Sequence, residues 1–569
     1  MKCDSDNPDL LALRGENAVF SPDSPNPSAA RGVISSRRGE IVSTGAGESA
    51  VAPPPLRWIP RGGSFQRKER AMSAYHIAVL DVGKTNKKVL VYDDTLSVVD
   101  SAYETFEERV EGHVHFEPVE EMTAWFKKQL SVFSSKYAVR AVSVTTHGAT
   151  AVALGADGAL AVPPVAYTTD AGEEFRAEFY ETFGNREQLQ KSTATAEIGS
   201  LINVAKKVFF WKKYYPDQFA KAERILYFPQ YFGFVLTGKL GAEPTYTGCH
   251  TYLWDFRRGD YSEVARKLGV ADMLPSTISR PWDILGTVSP EVARETGLST
   301  DCVVTMGIHD SNSSLLPYLV KGYGNFALNS TGTWCVAMHP TDTVSFEKED
   351  LGKLVFYFLD AFNNPVKTSI FMGGQEFDTY TEIIRTHSSG EDFPGYDPEL
   401  YAKIVAERKL FILPSVVKGT GIFPDAIPRI IEDGREFTLE DIKAGHILPD
   451  FMKDYRTAHA VIRISLAIQT SVALRMAGFG GEGSIFTEGG FRKNEGYNKL
   501  LASLFPRSTV SLTRLEEATA FGAAILGKAA LDGTGPAETR DCFEIERIEV
   551  PGDRIDGLER YTRDFLDRL

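Results

Sequence analysis

The sequence is poor in cysteine and lacks the cysteine and histidine spacings that usually bind structural metals. Its 569 residues include five cysteines, an odd number, and these lie far apart with no CxxC pair. We therefore expect reduced thiols that pack as small hydrophobic side chains, rather than a disulfide framework. These cysteines are Cys3, Cys249, Cys302, Cys335 and Cys542.

The chain also lacks a long hydrophobic run and an excess of positive charge. No stretch approaches the roughly 18 apolar residues of a membrane-spanning helix, and the N-terminus has no apolar signal core. Lys and Arg number 62 against 76 Asp and Glu, which gives a net charge of −14. This composition argues against a membrane protein and against a broad nucleic-acid surface, and it predicts a cytoplasmic protein.

The N-terminal segment lacks the hydrophobic periodicity of the rest of the chain. Residues 1–71 hold eight prolines and turn-rich patches such as 21–27 and 53–55. We expect residues 1–73 to be a disordered arm, or a segment that precedes a natural start at Met72. The sequence leaves these two alternatives open.

The first segment with recognisable chemistry is Asp81–Lys88, which an apolar strand enters and a second apolar strand leaves. In such a hairpin Gly83 permits close approach of the backbone to a ligand, and Thr85 and Lys88 can bind phosphate oxygens. A tight charged hairpin without a ligand would explain the same residues.

A carboxylate and a second hairpin follow in the middle of the chain. Residues 303–314 combine a β-branched run, a glycine and a helix start at Asp310, which suits either an N-cap or a general base. Gly332 and Thr333 lie at the tip of the second hairpin, 329–334. Two such hairpins facing each other would hold a polyphosphate.

Two further patterns indicate ligand contacts. The strand 141–145 ends at His147 and Gly148, at the edge where open α/β sheets bind ligands, although a capped loop histidine is the simpler interpretation. Near the C-terminus, Gly489 and Gly490 precede a helix start, where backbone N–H groups favour phosphate. The small-residue helix after Glu516 indicates either close packing or one wall of an adenine pocket.

A long helical region rich in lysine and aromatic residues is predicted over residues 196–219.

Taken in order, these motifs resemble the FGGY carbohydrate kinases over about residues 75–530. The resemblance implies an α/β fold of two actin-like (ribonuclease H-like) ATPase domains hinged around a cleft. It places the sugar-binding domain at about 74–320, the nucleotide-binding domain at 321–532, and a C-terminal extension at 533–569.

The resemblance also implies roles for individual residues. Asp310 becomes the catalytic base, and Asp81 positions the metal through water. Lys84 stands where the family has threonine, and Gln230 stands where the family commonly has aspartate. Nucleotide binding is assigned to Gly83, Thr85, Lys88, Gly332, Thr333, Gly373, Gly489, Gly490 and Asn494. Sugar binding is assigned to His147, Gly148, Tyr167, Asp170, Gln230 and Asp310.

The implied activity is in-line phosphoryl transfer from ATP, with Mg2+, to a hydroxyl of a ketose or related sugar resembling L-rhamnulose or L-fuculose. The implied partners are the sugar and ATP, without nucleic acid or membrane, and a homodimer is left open. A non-catalytic sugar- or nucleotide-sensing protein of the same fold is the main alternative, because fold alone does not establish function. An actin-like or chaperone-like ATPase is a third alternative.

Overall fold

The computed structural model describes residues 75–390 and 394–569, so the expectations for residues 1–73 lie outside the described residues. The strands within these ranges are β1 (His76–Val82), β2 (Asn86–Tyr92), β3 (Val98–Thr105), β4 (Arg109–Glu111), β5 (Val114–Phe116), β6 (Val139–Thr146), β7 (Ala151–Leu154), β8 (Arg224–Tyr227), β9 (Trp254–Asp255), β10 (Asp260–Tyr261), β11 (Ile284–Thr287), β12 (Val303–Thr305), β13 (Ile308–His309), β14 (Phe326–Thr331), β15 (Cys335–Pro340), β16 (Val355–Leu359), β17 (Pro365–Phe371), β18 (Leu410–Ile412), β19 (Arg429–Glu432), β20 (Arg435–Thr438), β21 (Gly483–Gly489), β22 (Ser508–Arg514) and β23 (Glu546–Val550).

The α-helices alternate with these strands, as the sequence predicts for an α/β protein. They are α1 (Val119–Ser134), α2 (Gly172–Phe183), α3 (Arg186–Thr193), α4 (Val204–Tyr214), α5 (Pro216–Phe219), α6 (Phe228–Thr237), α7 (Pro244–Thr247), α8 (Glu263–Lys267), α9 (Pro290–Thr296), α10 (Asp310–Lys321), α11 (Gly373–His387), α12 (Pro398–Glu407), α13 (Leu439–Lys443), α14 (Tyr455–Met476), α15 (Glu495–Leu504), α16 (Ala518–Asp532) and α17 (Leu558–Leu566).

The first half of the described chain is built on a seven-stranded sheet in the order β11–β12–β6–β1–β2–β3, with β13 pairing along β6. Strand β1 is antiparallel to β2 and parallel to β6. The predicted hairpin at 81–88 is confirmed, because Asp81 at the end of β1 lies directly opposite Lys88 in β2. Both chemically important side chains are thereby fixed to one edge of the sheet.

The second half repeats this arrangement in a seven-stranded sheet with the order β16–β17–β15–β14–β21–β22–β23. Here β14 is antiparallel to β15 and parallel to β21, just as β1 is antiparallel to β2 and parallel to β6. The predicted hairpin at 329–334 is the turn between β14 and β15. The two-domain α/β fold, with one sheet in each domain, is confirmed.

Helix α16 belongs to the second half in sequence but packs on the first sheet. Ala520, Ala523 and Ala524 share a buried apolar cluster with Ile77 and Val79 of β1. The helix approaches α10 so closely that a side chain at Gly522 would place its Cβ 1.9 Å from the carbonyl oxygen of Ser313. Close packing thus accounts for the small residues of this helix, and the domain boundary at 532 stays a prediction.

Helix α14 has the length and hydropathy of a bilayer-spanning helix, with 22 residues. However, 89% of its most apolar 18-residue window is buried inside the protein. Burial on nearly all sides is the environment of a core helix, and α14 packs in the apolar core of the second half.

The predicted helix over 196–219 begins later than expected. Residues 196–203 are not helical, and α4 starts at Val204. The Asn203 side chain accepts a hydrogen bond from Ile198 N and donates to Ala196 O and His250 O. These contacts satisfy backbone groups that a helix would otherwise use, and they fix the segment as a loop.

Candidate active site

A cavity of about 280 Å³ opens between the two sheets. Its polar side comes from the first half of the chain and its apolar side largely from the second half. Such a combination suits a small ligand with several hydroxyl groups, because a few polar groups orient the ligand while apolar groups exclude water. The polar side comprises His147, Gly148, Tyr167, His250, His309, Asp310 and Ser311, and the apolar side includes Trp334, Val336, Phe356, Phe358 and Ile370.

Asp310 is the first residue of α10 and projects its carboxylate into this cavity. The N-cap interpretation of Asp310 is wrong, because His309 is the N-cap residue. Oδ1 of Asp310 accepts a 2.6 Å hydrogen bond from the backbone N–H of Ser311 and lies 3.2 Å from Nε2 of His309. The side chain keeps 27% of its surface exposed, and burial of the rest raises the pKa of the carboxyl.

His147 lies at the end of β6, where its ring packs against Tyr167 and Phe228. Its Nδ1 contacts the carbonyl oxygen of Gly148 at 2.9 Å, and burial lowers the pKa of the imidazole. Its Nε2 has no hydrogen-bond partner among the described residues. A buried ring nitrogen without a partner beside a cavity is a ready hydrogen-bonding group for a ligand.

The cavity brings together His147, Gly148, Tyr167 and Asp310, but two other predicted sugar contacts lie outside its lining. Gln230 is completely buried in α6 and donates a 2.8 Å hydrogen bond to the carbonyl oxygen of Met306. Asp170 is exposed, and its Oδ1 accepts a hydrogen bond from Gly172 N at the start of α2. Sugar binding by these two residues stays a prediction.

The β1–β2 hairpin forms a charged cluster with the start of α16. Oδ2 of Asp81 accepts a 2.7 Å hydrogen bond from the Thr519 hydroxyl and lies 3.7 Å from the ammonium group of Lys88. Lys88 in turn donates to the Glu517 carboxylate at 2.5 Å. Burial raises the pKa of Asp81 to about 6, although Lys88 and Thr519 act in the opposite direction. Asp310 is close enough to raise this pKa further, so the hairpin and the cavity interact electrostatically.

At the other side of the site, the predicted glycine motifs of the second half lie against one another. A Cβ at Gly374 would lie 2.1 Å from the carbonyl oxygen of Gly332, and a Cβ at Gly489 would lie 2.0 Å from that of Thr331. The Thr331 hydroxyl also joins the strands, since it donates to Glu488 O and accepts from Phe491 N. The β14–β15 turn, the start of α11 and the β21 glycines are therefore one surface.

The remaining predicted nucleotide contacts differ in their exposure. Thr85, Thr333 and Gly490 are exposed, whereas Gly83 is only partly exposed and Gly373 is buried. Asn494 is also buried, and its Oδ1 caps α15 by accepting a hydrogen bond from Tyr497 N. Its direct contact with a nucleotide stays a prediction.

Lys84, the departure from the family motif, takes part in a partly buried ion cluster. Its ammonium group lies 2.7 Å from Glu117, contacts Glu108, and sits 4.4 Å from the centre of the Tyr167 ring. It therefore supports one wall of the cavity instead of extending freely toward a phosphate. In this position Lys84 links the β1–β2 hairpin to Tyr167.

Sequence reasoning missed several residues that the fold brings to the site. Glu517 and Thr519 carried a weak signal, since they are polar residues at the start of a helix otherwise composed of small residues. His250 and the two aromatic residues Phe356 and Phe358 carried none. Packing within the first half brings His250 to the cavity, and packing of the two halves brings the two phenylalanines.

The donor set around the hairpin fits Mg2+, the metal that the fold implies. Magnesium sites commonly use one or two carboxylates together with oxygens of substrate phosphates. Asp81 and Asp310 are carboxylates that interact with each other. The hydroxyl group of Thr519 donates to Asp81, and that of Thr85 lies in the turn between β1 and β2.

Two family models match consecutive parts of the chain. Residues 76–317 match the N-terminal domain of the FGGY family of carbohydrate kinases, and residues 323–536 match the C-terminal domain of carbohydrate kinase FGGY. Together the two matches span most of the described residues.

Individual relatives agree with the family models. A rhamnulokinase from Bacteroides thetaiotaomicron is 26% identical over 215 residues, which are 36% of this chain and 41% of that protein. An L-fuculokinase from Salmonella typhi is 25% identical over 277 residues, covering 46% of this chain and 56% of that protein. The matched parts thus span about half of the curated relatives. The crystal structure of a carbohydrate kinase from Novosphingobium aromaticivorans superposes with a TM-score of 0.69 at 26% identity and covers 87% of this chain and 98% of that one. The chain belongs to the FGGY family of carbohydrate kinases.

Proposed function

We propose that this protein is an ATP-dependent carbohydrate kinase in which Asp310 is the general base. The observation that carries the proposal is the position of Asp310, which lines the sugar-sized cavity and also interacts electrostatically with Asp81 at the phosphate hairpin. A base between an acceptor site and a phosphate site is the arrangement that phosphoryl transfer to a hydroxyl requires.

In the proposed reaction a sugar hydroxyl lies against Asp310. The carboxylate accepts the hydroxyl proton as the sugar oxygen forms a bond to the terminal phosphorus of ATP. The bond between that phosphorus and the bridging oxygen breaks, and ADP leaves with the bonding electrons. The apolar wall formed by Phe356 and Phe358 excludes water, which would otherwise compete as the acceptor.

The chain supplies charge and hydrogen-bond donors for the transferred group. Lys88, Thr85 and Thr333 face the phosphates in this proposal, and the backbone N–H groups near Gly490 bind the remaining nucleotide. To bind phosphate, the Lys88 ammonium group would exchange its contact with Glu517 for a phosphate oxygen. Asp81 would hold Mg2+, which supplies neutralisation of phosphate charge when it is bound.

The proposed acceptor is a ketose or related sugar that resembles L-rhamnulose or L-fuculose. This assignment rests on the names of two relatives, a rhamnulokinase and an L-fuculokinase. The unpartnered Nε2 of His147 provides a hydrogen-bonding position for one sugar hydroxyl, and Tyr167 provides an aromatic surface beside it.

The substitution Asp310→Asn tests the base. Asparagine keeps the shape of the side chain but accepts no proton at neutral pH. We expect the turnover number to fall by roughly 10²–10⁴-fold, while the sugar dissociation constant changes only a few-fold. Coupled ADP-release assays over ketoses, aldoses and polyols, with calorimetry for sugar binding, measure both quantities.

Asp260→Asn is the matched control, because Asp260 is an exposed carboxylate that pairs with Arg266 on the surface. It should leave turnover unchanged. Near-normal turnover of Asp310→Asn would remove Asp310 as the base. Binding of sugar and ATP without any ADP release would favour the sensing protein, and sugar-independent ADP release would favour a simple ATPase.

A further inference from the structure

Three side chains of metal-binding type converge at the back of the cavity. Cys249, His250 and His309 are all buried, and one ligand atom from each lies within 4.8 Å of the other two. Among the described residues this is the one such group of three. The phosphoryl transfer proposed above gives Cys249 no role, so the cluster needs a separate explanation.

The distances between these groups are close to those of ligands on a single ion. Sγ of Cys249 lies 3.3 Å from Nε2 of His309, which in turn lies 3.2 Å from Oδ1 of Asp310. Two ligands on one tetrahedral zinc ion lie about 3.3–3.6 Å apart, given bond lengths of about 2.0–2.3 Å. A thiolate and two imidazoles supply three positions of a tetrahedral site. The Asp310 carboxylate lies beside His309 but outside this group of three, and it would fill the fourth position after its side chain turns toward the group.

An ion can reach this cluster from the cavity. Both His250 and His309 contribute to the lining, and Gly148 lies between them. A Cβ at Gly148 would lie 2.9 Å from the Nε2 atoms of both histidines. Because glycine has no side chain, the space where the two imidazoles converge stays open.

The backbone holds His250 toward this space. Its φ is 36°, a left-handed conformation in which histidine, asparagine and aspartate are enriched among residues other than glycine. The Asn203 side chain donates a 3.1 Å hydrogen bond to the His250 carbonyl oxygen. The backbone position of His250 is thus fixed before any ligand binds.

We propose that Cys249, His250 and His309 form a site for a borderline-soft divalent cation such as Zn2+, with the Asp310 carboxylate as the fourth ligand. Sulfur and imidazole donors select zinc-like ions over Mg2+, which prefers oxygen. Binding displaces the thiol proton of Cys249 to solvent, and the sulfur and nitrogen lone pairs bond the ion without any redox change. The ion occupies the cavity beside Asp310 and excludes the sugar, a consequence that rests on the proposed function, whereas ion binding itself does not.

Titration of the full chain with Co2+ alone tests the site. We expect saturation at one equivalent, with a thiolate-to-cobalt charge-transfer band in the near ultraviolet, and loss of the band when Zn2+ is added. Saturating Co2+ without this band in the folded protein would overturn the proposal.

Two substitutions and one matched control locate the site. Cys249→Ser should remove the charge-transfer band, whereas Cys302→Ser, at another fully buried cysteine, should retain it. His250→Asn keeps a residue suited to positive φ and should weaken cobalt binding by at least about 100-fold, since loss of even an outer partner costs 10–100-fold. A band that persists in Cys249→Ser, or unchanged affinity in His250→Asn, contradicts the proposal, and circular dichroism verifies folding.

A kinetic experiment separates ion binding from its consequence for turnover. Zn2+ should raise the apparent KM for sugar without lowering turnover at saturating sugar, and Cys249→Ser should be less sensitive than Cys302→Ser. Inhibition by Zn2+ that is not competitive with sugar would contradict the claim that the bound ion excludes the sugar from the cavity. A protein that shows the cobalt band but phosphorylates no sugar would refute the proposed kinase activity and support the cation site.

Discussion

Two neighbouring glycines, Gly489 and Gly490, differ in how they tolerate a side chain. Gly489 has a φ of 81°, and a Cβ there would lie 2.0 Å from the carbonyl oxygen of Thr331. At Gly490 the nearest atom would be 3.9 Å away. The first glycine is therefore required by the fold, and the second leaves open space that a nucleotide can approach.

We expect Gly489→Ala to lower the free energy of unfolding by more than about 2 kcal/mol, since strain and overpacking add. Gly490→Ala should change it by less than about 0.5 kcal/mol. Gly490→Val should in addition weaken ATP binding while sugar binding is kept. Urea denaturation and calorimetry measure these effects. Equal destabilisation by both alanine substitutions would contradict the presence of open space beside Gly490.

The position of Gly148 in the cavity leads to a separate prediction about sugar binding. In Gly148→Ala the new methyl group would lie 2.9 Å from the His250 and His309 rings, inside the cavity. The methyl group would occupy space beside the bound sugar, and a clash with the sugar that costs about 1–3 kcal/mol raises the KM for sugar by roughly 5–150-fold. The KM for ATP should stay within about twofold of its original value. An unchanged sugar KM would place the acceptor away from Gly148.

Individual residues were predictable where a local pattern defines them. Asp310 follows a strand and a glycine, and Asp81 and Lys88 face each other across one hairpin, so neighbouring residues were enough to predict their positions in the fold. Their roles stay predictions. Gln230 and Asp170 were assigned without knowledge of their direction. One donates inward to Met306 and the other faces solvent, and only tertiary packing determines such directions.

At the scale of elements, helices α10 and α16 are joined by a close contact at Gly522. A Cβ there would lie 1.9 Å from the carbonyl oxygen of Ser313, and the Ser313 hydroxyl donates a 2.6 Å hydrogen bond to Thr519 O. Since Asp310 begins α10 and Thr519 contacts Asp81, this contact aligns Asp310 with the β1–β2 hairpin.

We expect Gly522→Ala to separate the two helices, with a loss of about 1–3 kcal/mol in the free energy of unfolding. Turnover should fall as well, because Thr519 moves relative to Asp81. Gly480→Ala is the matched control, since its Cβ would meet no atom within 4 Å and its φ is not positive. Thermal and urea denaturation compare the two variants. A Gly522→Ala protein as stable as Gly480→Ala would contradict the close contact.

Elements were predictable where their ends carry local signals. The β1–β2 and β14–β15 hairpins have turn residues between short apolar strands, and Gly238 ends α6 in a left-handed conformation. The segment 196–203 was predicted to belong to the following helix but is a loop. Its conformation depends on hydrogen bonds of Asn203 to Ala196 and to His250, which is 47 residues away in sequence.

At the scale of the whole molecule, several buried carboxyl groups make stability depend on pH. Burial raises the pKa of Glu376 to about 7, although Gln469 and Ser415 donate hydrogen bonds to it. The same cause raises other pKa values to about 6 or 7, in Asp81, Glu243, Asp360 and Glu488.

The direction of the pH effect follows from proton binding. These carboxyls have pKa values near 4 in the unfolded chain, so between about pH 4 and pH 7 the folded protein holds more protons than the unfolded chain. Their contribution to stability is complete below about pH 4 and is lost as the pH rises through 6–7.

These carboxyls should make the free energy of unfolding decrease from pH 5 to pH 8. His250 and His309, whose pKa values burial lowers to about 3, oppose that decrease below about pH 6.5. Glu376→Gln should reduce this decrease by on the order of 1–3 kcal/mol, because glutamine has no proton to lose. Glu382→Gln, at an exposed residue of the same helix, should leave the decrease unchanged. Urea denaturation at several pH values measures it, and parallel pH profiles for all three proteins would refute the role of Glu376.

The packing of α16 on the first sheet has a consequence for synthesis on the ribosome. Ile77, Val79 and Ile308 of the first half have emerged long before Ala520 and Ala524, which complete their apolar cluster. Roughly 200 residues separate the two groups, and at about 5–20 residues per second the nascent chain waits roughly 10–40 s with this apolar face uncovered. The first half should therefore aggregate when it is made alone, and it should stay soluble when residues 518–532 are supplied in trans.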